Sequence, residues 1–325
     1  MEKITIVIPN YNGEKYLKGC LQALVEDRKH PETPEFKILV VDNGSTDGSV
    51  PLMLENFPAV QTILLKENTG FCHAVNVGIR ESKTPYVILL NNDTKIKTGF
   101  VKHLYMAIQR SPKIFSVSAR MLMWDKPELI DDAGDYYCAL GWAYARGKGK
   151  TAHCYEKPAR VFSACGGAAI YRSDVFEEIG LFDENHFAYL EDLDIGYRAR
   201  IHGYQNLYEP GAQVLHFGSA STGSRYNGRK TVLAASNSVY VIAKNMPLLQ
   251  ILLNFPFLCV GFLVKFLFFC KKGMGLLYLK GLWKGLKRSW SAEGRSHKVA
   301  FYPGNLKNYM QIQMELWGNL FRLKA

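Results

Sequence analysis

The chain has none of the short glycine motifs that mark the common phosphate-binding loops. No G-x-G-x-x-G follows the first predicted strand, and G-x-x-x-x-G-K-[ST] occurs nowhere in the 325 residues. Their absence weighs against dinucleotide-dependent dehydrogenases and P-loop nucleotidases. Cysteine is scarce and odd in number, with seven residues and no C-x-x-C pair. This usage predicts a reducing compartment, without a disulfide framework or a zinc cluster.

Length and composition predict one large α/β domain with an appendage, or two domains. Hydrophobic residues make up 48% and aromatic residues 13% of the chain, enough for a sizeable core. Because residues 3–9 have the character of a strand, no N-terminal signal peptide is expected.

Residues 246–325 hold 12 Lys and Arg against 2 Asp and Glu, leaving 28 against 27 in residues 1–245. A segment that is both basic and apolar favours an anionic membrane surface over nucleic acid as its partner.

Apolar, β-rich runs alternate with helical spacing in the first hundred residues. The runs are Ile4–Ile8, Phe36–Val41, Val60–Leu65 and Tyr86–Leu90. Strands that alternate with helices in this way predict a parallel, doubly wound sheet. Further strand patterns occur at 115–123 and at 161–171. Between them, residues 124–158 are irregular and rich in Gly, Tyr and Ala, so a poorly ordered insertion is expected, with an acceptor-facing loop as the alternative.

Three of the predicted strands end in polar side chains. These are Asn10 and Asn12 after the first strand, Asp42 and Asn43 at the second, and Asn91, Asn92 and Asp93 after the fourth. The carboxyl ends of parallel strands meet at one edge of the sheet, where open α/β folds bind ligands. Oxygen ligands and fixed charge at such an edge suit a hard cation and a phosphate, so a nucleotide fits. Asx-type turns without a ligand are the alternative.

Two later segments also contain candidate functional residues, an acidic cluster and a histidine. Glu191, Asp192 and Asp194 open a predicted helix after an aromatic stretch. They are either ordinary capping residues or carboxylates held partly out of water. His216 ends a strand and precedes a Ser/Gly/Arg loop at 219–225. It is either a structural histidine or, with that loop, a contact for metal and phosphate.

Taken in order over residues 3–245, these motifs resemble the inverting glycosyltransferases of family 2. The matching pieces are IPNYN (8–12), VVDNGSTD (40–47), NTGF (68–71) with Asn76, NND (91–93), and YLED (189–192) with His216. The resemblance implies the GT-A fold, a Rossmann-like, mainly parallel α/β sheet flanked by helices. The most similar branch is the rhamnosyltransferase-like one, which builds bacterial cell-surface polysaccharide.

The resemblance also implies a role for individual residues. Nucleotide-sugar contacts are expected from Pro9, Asn12, Glu14, Asp42, Asn68, Gly70, Asn76, Asn91 and Asn92. Asp93 occupies the place of the family's DXD motif and, with His216, would bind Mg2+ or Mn2+. Asp192, or else Glu191, would be the general base. Asn91 stands where the motif has an aspartate, so weaker metal binding is expected.

The implied reaction moves a sugar from a nucleotide-sugar donor, dTDP-rhamnose or else a UDP-hexose, to a hydroxyl of a lipid-linked glycan acceptor. The chain has no Q-x-x-R-W segment, which the family's processive polymerases carry, and this favours transfer of one or a few sugars. A nucleotidyltransferase is one alternative, although its G-x-G-T-R-type loop is missing after the first strand. A non-catalytic nucleotide-sugar-binding protein is another, against which the retained Asp93 and Asp192 argue.

The remaining 80 residues, 246–325, predict a helical tail on a catalytic domain of residues 1–245. Residues 248–270 are long enough to span a membrane, but polar residues and Pro256 interrupt them and disfavour insertion. The next segment has Leu279, Leu282, Trp283, Leu286 and Trp290 on one helical face and Lys280, Lys284, Lys287 and Arg288 on the other. This pattern predicts an in-plane amphipathic helix that attaches the protein peripherally to the cytoplasmic leaflet. The alternative is a helix packed on the catalytic domain, with a solvated basic edge.

Overall fold

A computed structural model describes residues 2–218 and 227–324. The first half contains β1 (Ile4–Asn10), α1 (Glu14–Asp27), β2 (Phe36–Asn43), α2 (Ser49–Asn56), β3 (Gln61–Leu65), α3 (Phe71–Glu81), β4 (Tyr86–Leu90), β5 (Thr94–Ile96), α4 (Phe100–Ile108), β6 (Ile114–Met123), β7 (Ile130–Asp132), β8 (Asp135–Cys138), β9 (Trp142–Ala145) and β10 (Ala159–Val161). The second half contains β11 (Ala168–Arg172), α5 (Val175–Ile179), α6 (Glu191–Ile201), β12 (Gln205–His216), α7 (Gly228–Asn245), α8 (Leu248–Lys271), α9 (Gly275–Trp290), α10 (Ala292–Ser296) and α11 (Leu306–Phe321).

Ten strands form one mixed sheet, which confirms the predicted α/β class. Along the sheet the order is β10, β12, β6, β11, β4, β1, β2 and β3, with β5 pairing to β12 and β7 to β6. The strands β4, β1, β2 and β3 are all parallel. Their carboxyl ends therefore reach one edge, as the sequence predicts. The predicted strand at 161–171 is in fact two strands, β10 and β11, with a turn between them.

The central strands are buried on both faces, so they supply two separate cores. Ile6 and Ile8 of β1 pack in the cluster that includes α1 and α4. Val7, between them in sequence, packs on the opposite face with α3 and α6. This alternation follows from the two-residue period of a strand. Helices thus cover both faces of the central strands, which leaves the ends of those strands to present polar groups.

Residues 124–158 are ordered, so the expectation of a poorly ordered insertion is wrong. They contain β7, which joins the main sheet, and the β8–β9 hairpin. The hairpin is held by α11, nearly two hundred residues away in sequence. Asn319 Nδ2 donates to the Tyr137 carbonyl (2.8 Å), and Tyr144 Oη donates to the Asn319 carbonyl (2.7 Å). Contacts this distant in sequence leave no local pattern, because the stabilising partner is absent from the segment itself.

The C-terminal helices pack on α6 and also expose apolar surface. Leu258 of α8 and Leu316 of α11 share a hydrophobic cluster with Tyr197 of α6. Helix α9 contacts α7 through Gly281 and Gly285, which leaves its predicted apolar face outward. Both predicted descriptions of α9 are therefore partly correct: it is docked, and its apolar side chains are exposed. Within the described residues, α8 is the one helix long and apolar enough to cross a membrane, with a mean hydropathy of 2.2.

Candidate active site

Asn10 joins three of the predicted polar strand ends. Its Nδ2 donates to Asp42 Oδ1 (2.7 Å) and to Ser49 Oγ (3.1 Å), and its Oδ1 accepts from Asn92 Nδ2 (2.6 Å). Asn10, Asp42 and Asn92 are all buried. The structure thus brings the ends of β1, β2 and β4 together, and the buried amides fix their relative positions.

The loop after β1 is bound to the loop after β2. Asn12, with a φ of 49°, accepts from the Thr46 backbone N–H through its side-chain oxygen (2.8 Å). Glu14 Oε2 accepts from the Gly48 N–H (3.0 Å). Pro9 lies within β1, opposite Val41 of β2. These predicted donor-binding residues therefore build the rim of the edge, and their side-chain contacts are with the neighbouring loop.

The loop before α3 forms a second part of this rim. Asn68 Oδ1 accepts from the Gly70 N–H (3.0 Å), and Asn43 Nδ2 donates to the Gly70 carbonyl (3.0 Å). Gly70 has a φ of 93°, and a Cβ there would lie 2.6 Å from the Phe187 ring. A side chain at this position would be excluded by both the backbone conformation and the ring.

Asn76 differs from the predicted donor contact. It is buried, and its Nδ2 donates to the Phe182 carbonyl (2.8 Å) and to Glu184 Oε1 (2.9 Å). Its Oδ1 accepts from the Phe182 N–H (3.1 Å). Both amide protons are used within the protein, so Asn76 anchors the segment before α6.

Asp93 and His216 lie side by side because β5 and β12 are antiparallel, with Thr94 opposite His216. Asp93 Oδ1 and His216 Nε2 are 3.5 Å apart. Adjacent ligands of an octahedral Mg2+ or Mn2+ ion are roughly 3 Å apart, so a carboxylate and an imidazole at this spacing fit one divalent cation. The predicted loop at 219–225 lies outside the described residues.

Asp131, which the sequence did not single out, completes this pair. Its Oδ2 lies 2.7 Å from His216 Nδ1, and its Oδ1 lies 2.6 Å from Lys148 Nζ. Burial opposes ionisation of both residues, but the hydrogen bond between them, together with Lys148 beside Asp131 and Asp93 beside His216, outweighs it. The pKa of Asp131 is lowered to about 2, and the pKa of His216 is raised to about 9. With its Nδ1–H bound to Asp131, His216 presents Nε2 toward Asp93, where a cation would compete with the proton.

Gly166 and Gly167 connect the end of β4 to the start of α6. The Asn91 N–H donates to the Gly167 carbonyl (2.9 Å), and the Gly166 N–H donates to Asp192 Oδ2 (3.4 Å). A Cβ at Gly167 would lie 3.0 Å from Asn91 Nδ2. The paired glycines therefore keep the NND segment and the Asp192 carboxylate next to each other.

The backbone that leads into α6 is strained and firmly held. Phe187, Tyr189 and Leu190 have φ values of 61°, 72° and 65°, in the left-handed region that side chains disfavour. Asn237 of α7 donates to the carbonyls of three residues in this segment, at 2.8–3.0 Å. A strained backbone of this kind persists only where surrounding contacts hold it in place, as the bonds from Asn237 do here. The held segment in turn fixes the direction of Asp192 at the start of α6.

Comparison with known proteins identifies the family. The family model described as "Glycosyl transferase family 2" matches residues 5–180. The chain belongs to glycosyltransferase family 2. A curated relative, the N-acetylglucosaminyl-diphospho-decaprenol L-rhamnosyltransferase of Mycobacterium tuberculosis, is 29% identical over 248 residues, which cover 68% of this chain and 78% of the relative.

Two solved structures are similar to this glycosyltransferase in fold. One is GalNAc-T7 with UDP, GalNAc and Mn2+ (TM-score 0.59, 16% identity), which matches 74% of this chain and 48% of that one. The other is the mannosyltransferase PcManGT from Pyrobaculum calidifontis with GDP-Man and Mn2+ (TM-score 0.52, 16% identity), matching 97% and 84%. These structures confirm the GT-A fold, and the family match confirms the glycosyltransferase class.

Four carboxyl groups lie near one another beside this edge, those of Asp132, Asp135, Glu191 and Asp192. Burial raises the pKa of Asp192, and burial together with Asp192 raises the pKa of Glu191 to about 8. Glu191 Oε2 has no hydrogen-bond partner among the described residues. Burial also raises the pKa of Asp132 to about 7 and raises that of Asp135. Protons are therefore retained in this group near neutral pH, because several like charges cannot be buried together.

Asp132 and Asp135 were also missed at the sequence level. Together with Cys165 they place their ligand atoms within 4.8 Å of one another. Asp132 Oδ1 accepts from the Gly134 N–H (2.6 Å), which shows that it also shapes its own turn. Both aspartates lie in the segment that carries Asp131. Residues 131–135 therefore place one carboxylate against His216 and two near Asp192.

Proposed function

We propose that the enzyme transfers a single sugar from a nucleoside diphosphate sugar to a hydroxyl of a lipid-linked glycan. The observation that carries this proposal is the pair of bonds through Gly166 and Gly167, which holds Asp192 beside the NND segment. A carboxylate suited to accept a proton therefore adjoins a cation-binding pair suited to a diphosphate. Residues 1–245 would be the catalytic domain, and residues 246–325 the membrane-associating tail.

On the donor side, Asp93 and His216 would hold Mg2+ or Mn2+. The Mn2+ and nucleotide ligands of GalNAc-T7 and PcManGT support this choice. Asp42, at the end of β2, is suited to accept from a base N–H or a ribose hydroxyl. When bound, the cation would neutralise charge on the leaving diphosphate. Asn91 replaces one aspartate of the family's DXD motif. Asp131 would partly compensate by placing a second carboxylate behind His216.

On the acceptor side, Asp192 would be the general base. It would take the proton of the acceptor hydroxyl while that oxygen forms a bond with the anomeric carbon. The bond from that carbon to the diphosphate oxygen breaks, and its electron pair leaves with the nucleoside diphosphate. One displacement inverts the anomeric centre. Glu191 is less suited to the role, because a pKa of about 8 keeps it protonated at neutral pH.

The relative from M. tuberculosis supports dTDP-rhamnose as the first donor to test and a lipid diphosphate-linked sugar as the acceptor. A UDP-hexose is the second donor. As the resemblance to the rhamnosyltransferase-like branch implies, the product would belong to bacterial cell-surface polysaccharide. The basic, apolar tail supports peripheral attachment to the inner face of the plasma membrane, where such an acceptor lies. Recovery in the soluble fraction at low salt, without detergent, would count against this location.

Nucleotide release from a panel of donors tests the proposal. The panel is dTDP-rhamnose, UDP-glucose, UDP-galactose and UDP-GlcNAc, each with Mg2+, Mn2+ or EDTA. We expect metal-dependent hydrolysis of one donor that is lost in Asp93→Ala and kept in Asp125→Asn, an exposed carboxylate in the same part of the chain. Calorimetry with the bare nucleotides separates an untested donor from a failed proposal, since a protein that binds no nucleotide is not this transferase.

A further inference from the structure

One face of α8 is committed to the catalytic domain, although the helix has the length and apolarity of a membrane span. Gln250, Asn254, Leu258 and Gly261 are buried, and their spacing of four, four and three residues marks a single stripe. A Cβ at Gly261 would clash with the Leu140 carbonyl oxygen. The catalytic domain therefore follows the helix closely along this stripe.

Hydrogen bonds join this stripe of α8 to α11, α6 and β9. Asn254 and Gln313 of α11 bind each other reciprocally, with Nδ2 donating to Oε1 (2.8 Å) and Nε2 donating to Oδ1 (2.9 Å). Tyr197 Oη of α6 donates to Gln250 Oε1 (2.7 Å). Trp142 Nε1 donates to the Gly261 carbonyl (3.0 Å). The bonds of Asn254, Gln313 and Tyr197 are buried and that of Trp142 is partly buried, so breaking them would leave polar groups without partners.

The buried stripe on α8 is too long for the helix to cross a bilayer while the stripe stays packed on the rest of the protein. From Gln250 to Gly261 it runs roughly 17 Å, while the hydrocarbon core of a bilayer is about 30 Å thick. If α8 crossed the bilayer, more than half of that thickness would contain α6, α11 and β9 as well. The alternative is to break the hydrogen bonds of the stripe inside the lipid, where no water replaces them.

The opposite face of α8 is apolar and exposed. Leu249, Val260 and Leu267 lie on it at the two ends and the middle of the helix, with exposures of 67%, 54% and 52%. Helix α9 adds an exposed apolar row that includes Leu276, Leu279, Trp283 and Trp290. Lys280, Lys284 and Lys287 are exposed beside that row. An apolar surface flanked by lysines is complementary to an anionic lipid leaflet.

We infer that α8 lies flat in the cytoplasmic leaflet and does not cross it, forming with α9 a monotopic platform. This inference rests on the proposed membrane attachment. It gives α8 a mechanical role, because Tyr197 binds it from α6, the helix that begins with Glu191 and Asp192. The helix that carries the general base is thus fastened to the helix that enters the lipid.

Binding to vesicles tests the surface. The full chain is mixed with vesicles of phosphatidylcholine containing phosphatidylglycerol, with and without the anionic lipid. Leu252→Glu combined with Leu263→Glu is expected to weaken partitioning roughly a hundredfold, because two apolar side chains no longer enter the lipid. The matched control is Leu54→Glu combined with Leu64→Glu, since both residues are 55% exposed but lie outside the tail. Equal loss in both double variants, or a stable dimer that does not bind vesicles, would overturn the inference.

Depth along α8 tests the orientation. Single cysteines replace Leu249, Val260 or Leu267 in a chain whose exposed Cys154, Cys259 and Cys270 are serine, and each carries a fluorophore that brominated lipids quench. The chain without an added cysteine is the blank. We expect all three labels at one shallow depth. A deep label at 260 with shallow labels at 249 and 267 would show a crossing helix, overturning this inference but not the membrane attachment. Donor hydrolysis in solution, measured alongside, reports separately on the proposed transferase activity.

Discussion

Replacing Asp131 by asparagine is expected to weaken metal binding while leaving the fold intact. Asparagine has the size of aspartate and keeps an oxygen to accept from His216 Nδ1, so the 2.7 Å hydrogen bond is retained without its charge. Loss of a carboxylate behind a metal-binding histidine lowers affinity by about 10- to 100-fold, or about 1.4–2.8 kcal/mol. Asp131→Ala, which removes the bond as well, should lose more than Asp131→Asn.

The assay is a Mn2+ titration followed by electron paramagnetic resonance, with and without nucleoside diphosphate. Asp125→Asn is the control for charge, and thermal unfolding is the control for fold, because Asp131 also pairs with Lys148. His216→Ala sets the scale for loss of the histidine. The reasoning would be refuted if His216→Ala lost Mn2+ and Asp131→Asn bound it as tightly as the parent chain, since Asp131 would then only brace its loop.

Three further predictions concern the base, the tail and the buried charges. Asp192→Asn should lower transfer by about 10²- to 10⁴-fold with donor binding unchanged by calorimetry, and Glu191→Gln should lower it less. Since Asp192 acts deprotonated and its pKa is raised, the acid limb of the rate profile should lie above that of an ordinary aspartate; a limb near pH 4 would contradict this. Gly281→Ala should lower the unfolding temperature, because the new Cβ would lie 2.6 Å from the Val232 carbonyl oxygen, whereas Gly318→Ala meets nothing within 4 Å and should not lower it. Lys244→Met should cost about 3–5 kcal/mol in urea unfolding, because it removes the cation that the buried carboxylates of Asp183 and Asp194 share, while Asp194 keeps its ion pair with Arg198; a loss below about 1 kcal/mol would contradict that. Burial opposes the ionisation of Asp183 but Lys244 outweighs it, so its pKa is about 2, and its stabilisation is present above about pH 4 and lost as the pH falls toward 2.

The meeting of the polar strand ends at one edge was largely predictable from sequence. Asp42 and Asn92 follow apolar strands directly, and parallel strands bring their carboxyl ends together whatever the loops do. Asp93 and His216 were paired only through the family resemblance, because β5 and β12 are far apart in sequence. Asn76 shows the limit of such transfer: its motif was matched, but its amide is used to hold the segment before α6.

The three carboxylates of residues 131–135 were not predictable in the same way. Asp131, Asp132 and Asp135 lie in strands of three or four residues, too short to show a period. Their positions depend on β6, β12 and α11, which contact them from distant parts of the chain. For α9 the apolar stripe was predicted correctly, but the packing face was decided by Gly281 and Gly285, which a hydrophobicity pattern ranks as neutral.

The configuration of the new glycosidic bond tests the central claim most directly. The full chain is given the donor that it hydrolyses and a polyprenyl diphosphate-linked sugar, and the product is analysed by mass spectrometry and by NMR at the anomeric carbon. The account predicts one added sugar with inverted configuration, absent in Asp93→Ala and in Asp192→Asn. Retained configuration, or undiminished transfer by Asp192→Asn, would contradict a single displacement at this edge of the sheet.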